Sequence, residues 1–251
     1  MLSKNKIKEL TQLHLKKYRN LQAVFIAEGN KLVSDLLLVF PCQTIVATED
    51  WLFANKPTAT EIIVASESEL KKISLQKTVQ QVIAVFKQPN YSLDKKALSN
   101  SLSLALDDIQ DPGNLGTILR IADWFGIEQI FCSLHCADVY NPKTIQASMG
   151  AIARVKVFRV DLASFLQDIA TKIPIYGTFL DGNTIYQETL THHGIIVMGN
   201  EGNGISKELE KFIDKRLFIP NFPADRLTSE SLNVGAATAV ICAEFRRRAL
   251  Q

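Results

Sequence analysis

The chain is 251 residues long, 47% hydrophobic, and carries a formal net charge of +2. Such a composition supplies ample apolar surface for a globular core, in one large domain or two modest ones. Its apolar runs, such as Leu36 to Phe40 and Ile195 to Met198, fall far short of the roughly 20 residues that span a bilayer, so no membrane partner is expected.

Met1 to Asn20 is polar and lysine-rich, without a basic-then-apolar segment and cleavage site, which predicts a cytoplasmic protein. Four cysteines, Cys42, Cys132, Cys136 and Cys242, form no paired framework and suit reduced thiols. Cys132 and Cys136 flank His135, but no second ligand pair stands at zinc-finger spacing and Cys132 ends an apolar run, so no metal is expected. Charge is uneven: up to Ala97 there are 14 Lys and Arg against 9 Asp and Glu, and beyond it 14 against 17. Lys4, Lys6, Lys8, Lys16, Lys17 and Arg19 meet only Glu9. Such a cluster can neutralise phosphates, and can also be a solvated helix face.

In chain order, Ser3 to Leu15 sets Ile7, Leu10, Leu13 and Leu15 near helical spacing and predicts an amphipathic helix. Val24-Phe25-Ile26 reads as a strand, and Gly29 to Leu38 as a helix with Leu32, Val33, Leu36 and Leu37 on one face. Thr44 to Ala47 and Ile62 to Val64 read as short buried strands around a piece holding Trp51 and Phe53, and Val82 to Phe86 as another strand. This is a small α/β unit over residues 1–90. Gln88-Pro89-Asn90 breaks the pattern, and 91–100 reads as a linker.

Over 101–251 strand and helix alternate. Strands are predicted at Leu102 to Leu106, Gln129 to Cys132, Lys156 to Val160, Ile173 to Phe179, Gly194 to Met198 and Leu217 to Ile219. Helices are predicted at Leu115 to Phe125, Pro142 to Met149, Ser164 to Ala170 and Ser231 to Arg247. That rhythm predicts a mostly parallel sheet covered on both faces, with ligands beyond the strands' carboxyl ends.

Three constellations could carry chemistry. Gly199-x-x-Gly202-x-Gly204 follows a buried strand, where glycine lets backbone N–H groups approach a ligand. The spacing is not that of a dinucleotide-binding fingerprint, and no Walker lysine follows. Glu201 within it repels phosphate and favours a cationic or neutral ligand. Ser231-Leu232-Asn233 opens an alanine-rich helix; Ser231 reads as its N-cap, which leaves Asn233 unexplained. Asp111-Pro112-Gly113-Asn114-Leu115-Gly116 leads into a helix bearing Arg120, the only lysine or arginine between Lys96 and Lys143. A guanidinium there suits a phosphate or ribose oxygen.

Taken together, Asn114-x-Gly116 with Arg120, then Gly199-Asn200-Glu201-Gly202, then Ile219-Pro220 through Ser231-Leu232-Asn233-Val234, resemble the three signature motifs of the SpoU (TrmH-type) RNA ribose 2'-O-methyltransferases of the SPOUT superfamily. Order, spacing and context match over about 101–248. Glu28-Gly29-Asn30-Lys31-Leu32-Val33 resembles the start of the small substrate-binding domain that many of these enzymes carry.

The resemblance implies an α/β fold with a trefoil-knotted C-terminal domain, homodimers with the active site near the subunit interface, and S-adenosylmethionine as cofactor. By motif matching, Gly199, Ile219 and Leu232 line the cofactor, with Asn200, Gly202 and Ser231 near it and the strand end Thr178-Phe179-Leu180 contributing. Arg120 is the residue the pattern points to for activating the ribose hydroxyl. An arginine is effectively always protonated, which favours an electrostatic clamp and leaves base function open. Asn114, Glu201, Ser231 and Asn233 would position Arg120 and the ribose. The implied substrate is ribosomal RNA, with transfer RNA, or a non-catalytic RNA-binding protein of the same fold, as alternatives. A nucleotide-dependent oxidoreductase would need a glycine fingerprint that Asp107 to Gly116 lacks. Asn221 to Glu230 is longer than the compact loop usual in the family, which bears on substrate choice more than on activity.

Overall fold

The computed structural model describes residues 2–94, 98–223 and 231–249. The chain divides into two compact units, one of Met1–Asn90 with Asp138–Ala153, the other of Tyr91–Ala137 with Arg154–Gln251.

The first unit opens with α1 (Lys4–Gln12), within the helix that the apolar spacing predicts over Ser3 to Leu15, and with a second helix, α2 (Lys16–Gln22), that it does not predict. Leu10 and Leu13 are buried, whereas Leu15 is extended and 60% exposed. The break aims the Leu13 carbonyl at Arg19, whose Nη1 donates to it at 2.8 Å. Four strands follow, β1 (Val24–Glu28), β2 (Cys42–Ala47), β3 (Glu61–Val64) and β4 (Val82–Lys87). They pair in the order β1-β4-β2-β3; only β2 and β3 run parallel. Between them lie α3 (Asn30–Leu37), α4 (Glu49–Asn55) and α5 (Glu67–Leu70). Leu32, Val33 and Leu36 of α3 and Trp51 of α4 pack with Phe25 and Phe86 of the sheet. The expectation that Ile62 to Val64 is buried is corrected: β3 is the sheet's edge, with Ile62 46% and Val64 52% exposed.

The second unit holds β5 (Leu102–Leu106), α6 (Pro112–Trp124) and β6 (Gln129–Cys132). The next helix, α7 (Pro142–Ser148), belongs to the first unit, after which β7 (Lys156–Arg159) and α8 (Leu162–Ile169) return to the second. β8 (Ile175–Thr184), β9 (Gly194–Met198), α9 (Lys207–Glu210), β10 (Lys215–Phe218) and α10 (Val234–Ala249) complete it. The six strands pair in the order β10-β8-β9-β5-β6-β7, and every pairing is parallel. β5, β6 and β9 are buried throughout, as their unbroken apolar runs require in a sheet covered on both faces.

Helices α6 and α10 lie side by side and parallel, tied at both ends. At their starts Asn233 Nδ2 donates to Asn114 Oδ1 at 3.1 Å. At their far ends Arg246 donates to the carbonyls of Phe125 and Gly126, at 2.7 and 3.0 Å, and so satisfies acceptors that the end of α6 leaves open.

In the first unit Arg19, 1% exposed, pairs with Asp138 at 2.5 Å, and Asp138 also accepts from the backbone N–H of Tyr140. This removes Arg19 from the basic cluster at the chain's start. Lys6 is likewise engaged, by Glu9 at 3.0 Å and Glu61 at 2.6 Å, so Lys4, Lys8, Lys16 and Lys17 remain as its exposed cations. Asp138→Ala would strand the buried guanidinium and is expected to destabilise this unit by about 3–5 kcal/mol. Urea unfolding checks this; an unchanged midpoint would make the pair incidental.

Candidate active site

Because β10, β8, β9 and β5 are parallel neighbours, their carboxyl ends share one edge of the sheet. From that edge emerge Ile219 after β10, Thr178 where the paired part of β8 ends, Gly199 after β9 and Asp107 after β5. Ligand sites of open parallel sheets form at such an edge.

Three polar side chains from distant parts of the sequence meet there. Asn233 Oδ1 accepts from the backbone N–H groups of Gly235 at 3.0 Å and Ala236 at 3.3 Å. Asn233 Nδ2 donates to Asn114 Oδ1, and Asn114 Nδ2 donates to Glu201 Oε1 at 2.8 Å. The two ends orient the chain of bonds, since backbone N–H groups only donate and a carboxylate only accepts; both amides have one orientation that satisfies every link. Asn114 is itself placed by Asp111, the N-cap of α6, which accepts from its N–H at 2.9 Å. One relay thus joins the three motifs.

The relay corrects the reading of Ser231 as the cap. The final helix begins at Val234, and Asn233 caps it, its side-chain oxygen meeting the second and third N–H groups as an N-cap does. Ser231 and Leu232 are exposed in the segment before it.

The glycine-rich turn is held by backbone. Asn200 and Gly204 exchange two backbone hydrogen bonds at 2.9 Å. Within the turn, Asn200 Oδ1 accepts from Gly202 and Asn203, while its Nδ2 donates to the Asp108 carbonyl at 2.8 Å. Asn200 therefore shapes the loop with its own polar atoms, and Glu201 and Gly202 are left exposed. Gly199 admits no side chain: a Cβ there would lie 2.2 Å from the Gly204 carbonyl carbon and 2.3 Å from the Ile205 nitrogen.

β8 runs past its predicted end and bulges. Arg216 pairs with Gly177 but Leu217 pairs with Asn183, so Thr178 to Gly182 leave the ladder. Thr178 Oγ1 donates to the Val197 carbonyl at 3.2 Å. The Phe179 ring lies under the Arg216 guanidinium at 3.5 Å, with Arg216 held by Asp181 and Glu210. Leu180 is 67% exposed.

Arg120 stands apart from the relay. It is exposed and has no hydrogen-bond or ion-pair partner among the described residues. Six residues beyond Asn114, it sits about 9 Å along the helix and roughly 120° around it. It shares a face with Thr117 and Trp124, at helical spacing, and Trp124 is 84% exposed. Of the long loop, residues 224–230 lie outside the described residues.

Sequence reasoning missed the acidic pair behind the site. Asp107 Oδ2 accepts from the Ser206 N–H at 2.8 Å, and the Asp108 carbonyl receives Asn200. Two carboxylates directly after an apolar strand were the available signal. The cysteines brace the same strand end: Cys136 Sγ accepts from Ile109 N–H at 3.3 Å and donates to the Leu106 carbonyl at 3.2 Å. The hydrogen bond from Cys132 draws the Cys136 thiol down to about 7. His135 is exposed.

The chain matches the model of the SpoU rRNA Methylase family over residues 101–243, and that of an MRM3-like substrate binding domain over residues 4–84. It is 30% identical, over 96% of either chain, to the 23S rRNA (guanosine(2553)-2'-O)-methyltransferase RlmP of Bacillus subtilis. Among solved structures it resembles a putative RNA methyltransferase of the TrmH family from Porphyromonas gingivalis, with a TM-score of 0.89 and 43% identity over 99% of either chain. It also resembles the AdoMet-bound rRNA methyltransferase from Sinorhizobium meliloti, with a TM-score of 0.85 and 26% identity over 100% of this chain and 97% of that one. With the three motifs joined by one relay at the carboxyl edge of a parallel sheet, and the family model spanning that whole region, the chain belongs to the SpoU rRNA methylase family.

Proposed function

We propose that the protein transfers a methyl group from S-adenosylmethionine to a ribose 2'-hydroxyl of ribosomal RNA. The observation that carries this reading is the relay Asn233–Asn114–Glu201 beside the Gly199 turn, which draws the motifs of this family into one exposed edge. The residues there fit the cofactor. Glu201 offers a carboxylate suited to a sulfonium, the Gly199 turn offers backbone without side-chain obstruction, and Leu180 and Leu232, 67% and 53% exposed, offer apolar contact. When bound, the cofactor supplies an electrophilic methyl group.

The chain's own part is positioning. In-line approach of oxygen to carbon demands a fixed ribose, and the relay fixes Asn114 and Glu201 against each other before any ligand arrives. Arg120 serves as an exposed cation that steadies the developing alkoxide or an adjacent phosphate. Gly199, Ile219 and Leu232 line the cofactor, Asn200 holds the turn around it, and Ser231 and Gly202 stand at its edge.

The protein acts as a homodimer in the cytoplasm. The exposed face of α6 that carries Arg120 also carries Trp124, and a large exposed aromatic beside a reactive residue suits a subunit contact. The segment from β9 to α10 forms a trefoil knot, a rare departure from unthreaded connections. The return of the chain from the edge strand β10 to pack its final helix against α6, the helix that follows the central strand β5, supports that path. The first unit binds RNA.

Incubation with methyl-labelled S-adenosylmethionine and total RNA from a strain lacking the protein tests the reading. Label in a 2'-O-methylnucleoside of the large RNA fraction is expected. Label confined to small RNA would redirect the substrate to transfer RNA, and measurable cofactor binding without any label would overturn the enzymatic assignment.

A further inference from the structure

The bulge of β8 opens opposite a single residue. Gly177 pairs with Arg216 and Asn183 with Leu217, so Thr178 to Gly182 leave the ladder between two consecutive positions of β10. On the other side, pairing with β9 also ends at Gly177. The excursion therefore has no strand pairing to hold its shape, and side chains must do so.

Arg216 supplies those contacts. Its guanidinium lies 3.5 Å from the centroid of the Phe179 ring, Nη2 donates to Asp181 Oδ1 at 2.6 Å, and Nη1 donates to Glu210 Oε2 at 2.8 Å. Phe179 and Asp181 are the second and fourth residues of the excursion, and Leu180, 67% exposed, stands between them. Glu210 ends α9, the helix that follows the glycine-rich turn. One side chain thus ties the excursion to the far end of that turn. The backbone closes in as well, since a Cβ at Gly182 would lie 2.6 Å from the Arg216 carbonyl oxygen.

Exposed ion pairs taken singly contribute little, because each must order long side chains in a screened medium. Here one planar group meets a ring face and two carboxylates, so a single ordering cost serves three contacts. The hydrogen bond from Arg216 also holds the Asp181 carboxyl below its ordinary value, which keeps the pair charged at neutral pH.

We propose that Arg216 is a positioning residue for the cofactor, fixing Thr178 to Gly182 in the shape that receives S-adenosylmethionine and acting on binding through Phe179 and Leu180. The inference rests on the methyltransferase reading, in which this strand end contributes to the cofactor site. A loop ordered in advance spares the ligand the cost of ordering it. Without Arg216 that cost falls on binding, and the bound cofactor holds the loop thereafter.

The test uses the full chain. Arg216→Ala is expected to raise the Kd for S-adenosylmethionine about tenfold, with RNA affinity and kcat at saturating cofactor retained. Hydrogen exchange in the free protein should quicken over 178–182 and stay unchanged in β9. Arg216→Lys, which keeps a point charge without the planar fork, should recover part of the affinity. Asp181→Ala should weaken binding by less, and the double variant by no more than Arg216→Ala alone, because the carboxylate acts through the guanidinium. Cofactor affinity, RNA affinity and kcat that fall together with the unfolding midpoint would overturn the assignment and mark a structural role only. Wild-type cofactor affinity in Arg216→Ala would also overturn it, and would leave the reaction standing wherever the wild-type protein methylates RNA. A wild-type protein that binds S-adenosylmethionine, loses that affinity on Arg216→Ala and methylates no RNA would support the positioning role and overturn the enzymatic reading.

Discussion

Replacing Arg120 by alanine is expected to lower methyl transfer by ~10²–10³-fold while S-adenosylmethionine affinity stays within a fewfold. Arg120 is exposed and has no partner among the described residues, so its removal disturbs no packing and leaves no buried charge. Any loss therefore belongs to the reaction and not to the fold. Single-turnover transfer on ribosomal RNA, with calorimetric cofactor titration, separates the two quantities. Arg120→Lys refines the answer: a clamp acting as a point charge would be partly restored, whereas planar two-point recognition of phosphate or ribose would not. Full activity in Arg120→Ala would remove the residue from the mechanism.

Gly199→Ala should instead act on the cofactor. The new Cβ would lie 2.2 Å from the Gly204 carbonyl carbon and 2.3 Å from the Ile205 nitrogen, both backbone atoms that cannot rotate away. The paired Asn200–Gly204 hydrogen bonds must open, and Asn200 then loses its register on the Asp108 carbonyl. Strain of this kind is worth about 1–3 kcal/mol, so cofactor affinity is expected to fall about 10- to 100-fold. Gly202→Ala is the control, since its Cβ would meet only Asn200 Oδ1 at an ordinary 3.6 Å. Should both substitutions weaken binding equally, contact with the ligand and not loop geometry would be the cause. Unchanged affinity in Gly199→Ala would place the cofactor away from this turn.

The two experiments probe different parts of one arrangement. Gly199 governs a turn whose shape is set by backbone, Arg120 is a cation on a helix face without a partner among the described residues, and Asn114 links the turn to the final helix. A substitution in the relay would affect both: loss of the Asn233 side chain removes a helix cap together with the partner of Asn114.

Much of this was legible in the chain itself. Buried parallel strands need apolar side chains on both faces, so Leu102 to Leu106 and Gly194 to Met198 stand out as unbroken runs and coincide with β5 and β9. The helix predicted from Leu115 is there as α6 but starts three residues earlier, at Pro112, because proline suits the first helical position and Asp111 caps it. The three motifs identify the family through residue types and order, which need no coordinates. Elsewhere local pattern misled. The spacing of Ile7, Leu10 and Leu13 marks α1, but Leu15, read with them, faces outward, and the chain turns there into α2, which the pattern does not predict. Ser231 satisfies every local rule for a cap, and the helix starts later because Asn233 can cap and reach Asn114 at once.

The sequence by itself determined the α/β alternation, the parallel sheet and the family, since hydrophobic period and short motifs are properties of neighbouring residues. Only the tertiary structure decided that Asn114, Glu201 and Asn233 form one relay and that Arg19 is buried against Asp138. Both depend on contacts between residues far apart in the chain, which no local run of amino acids records.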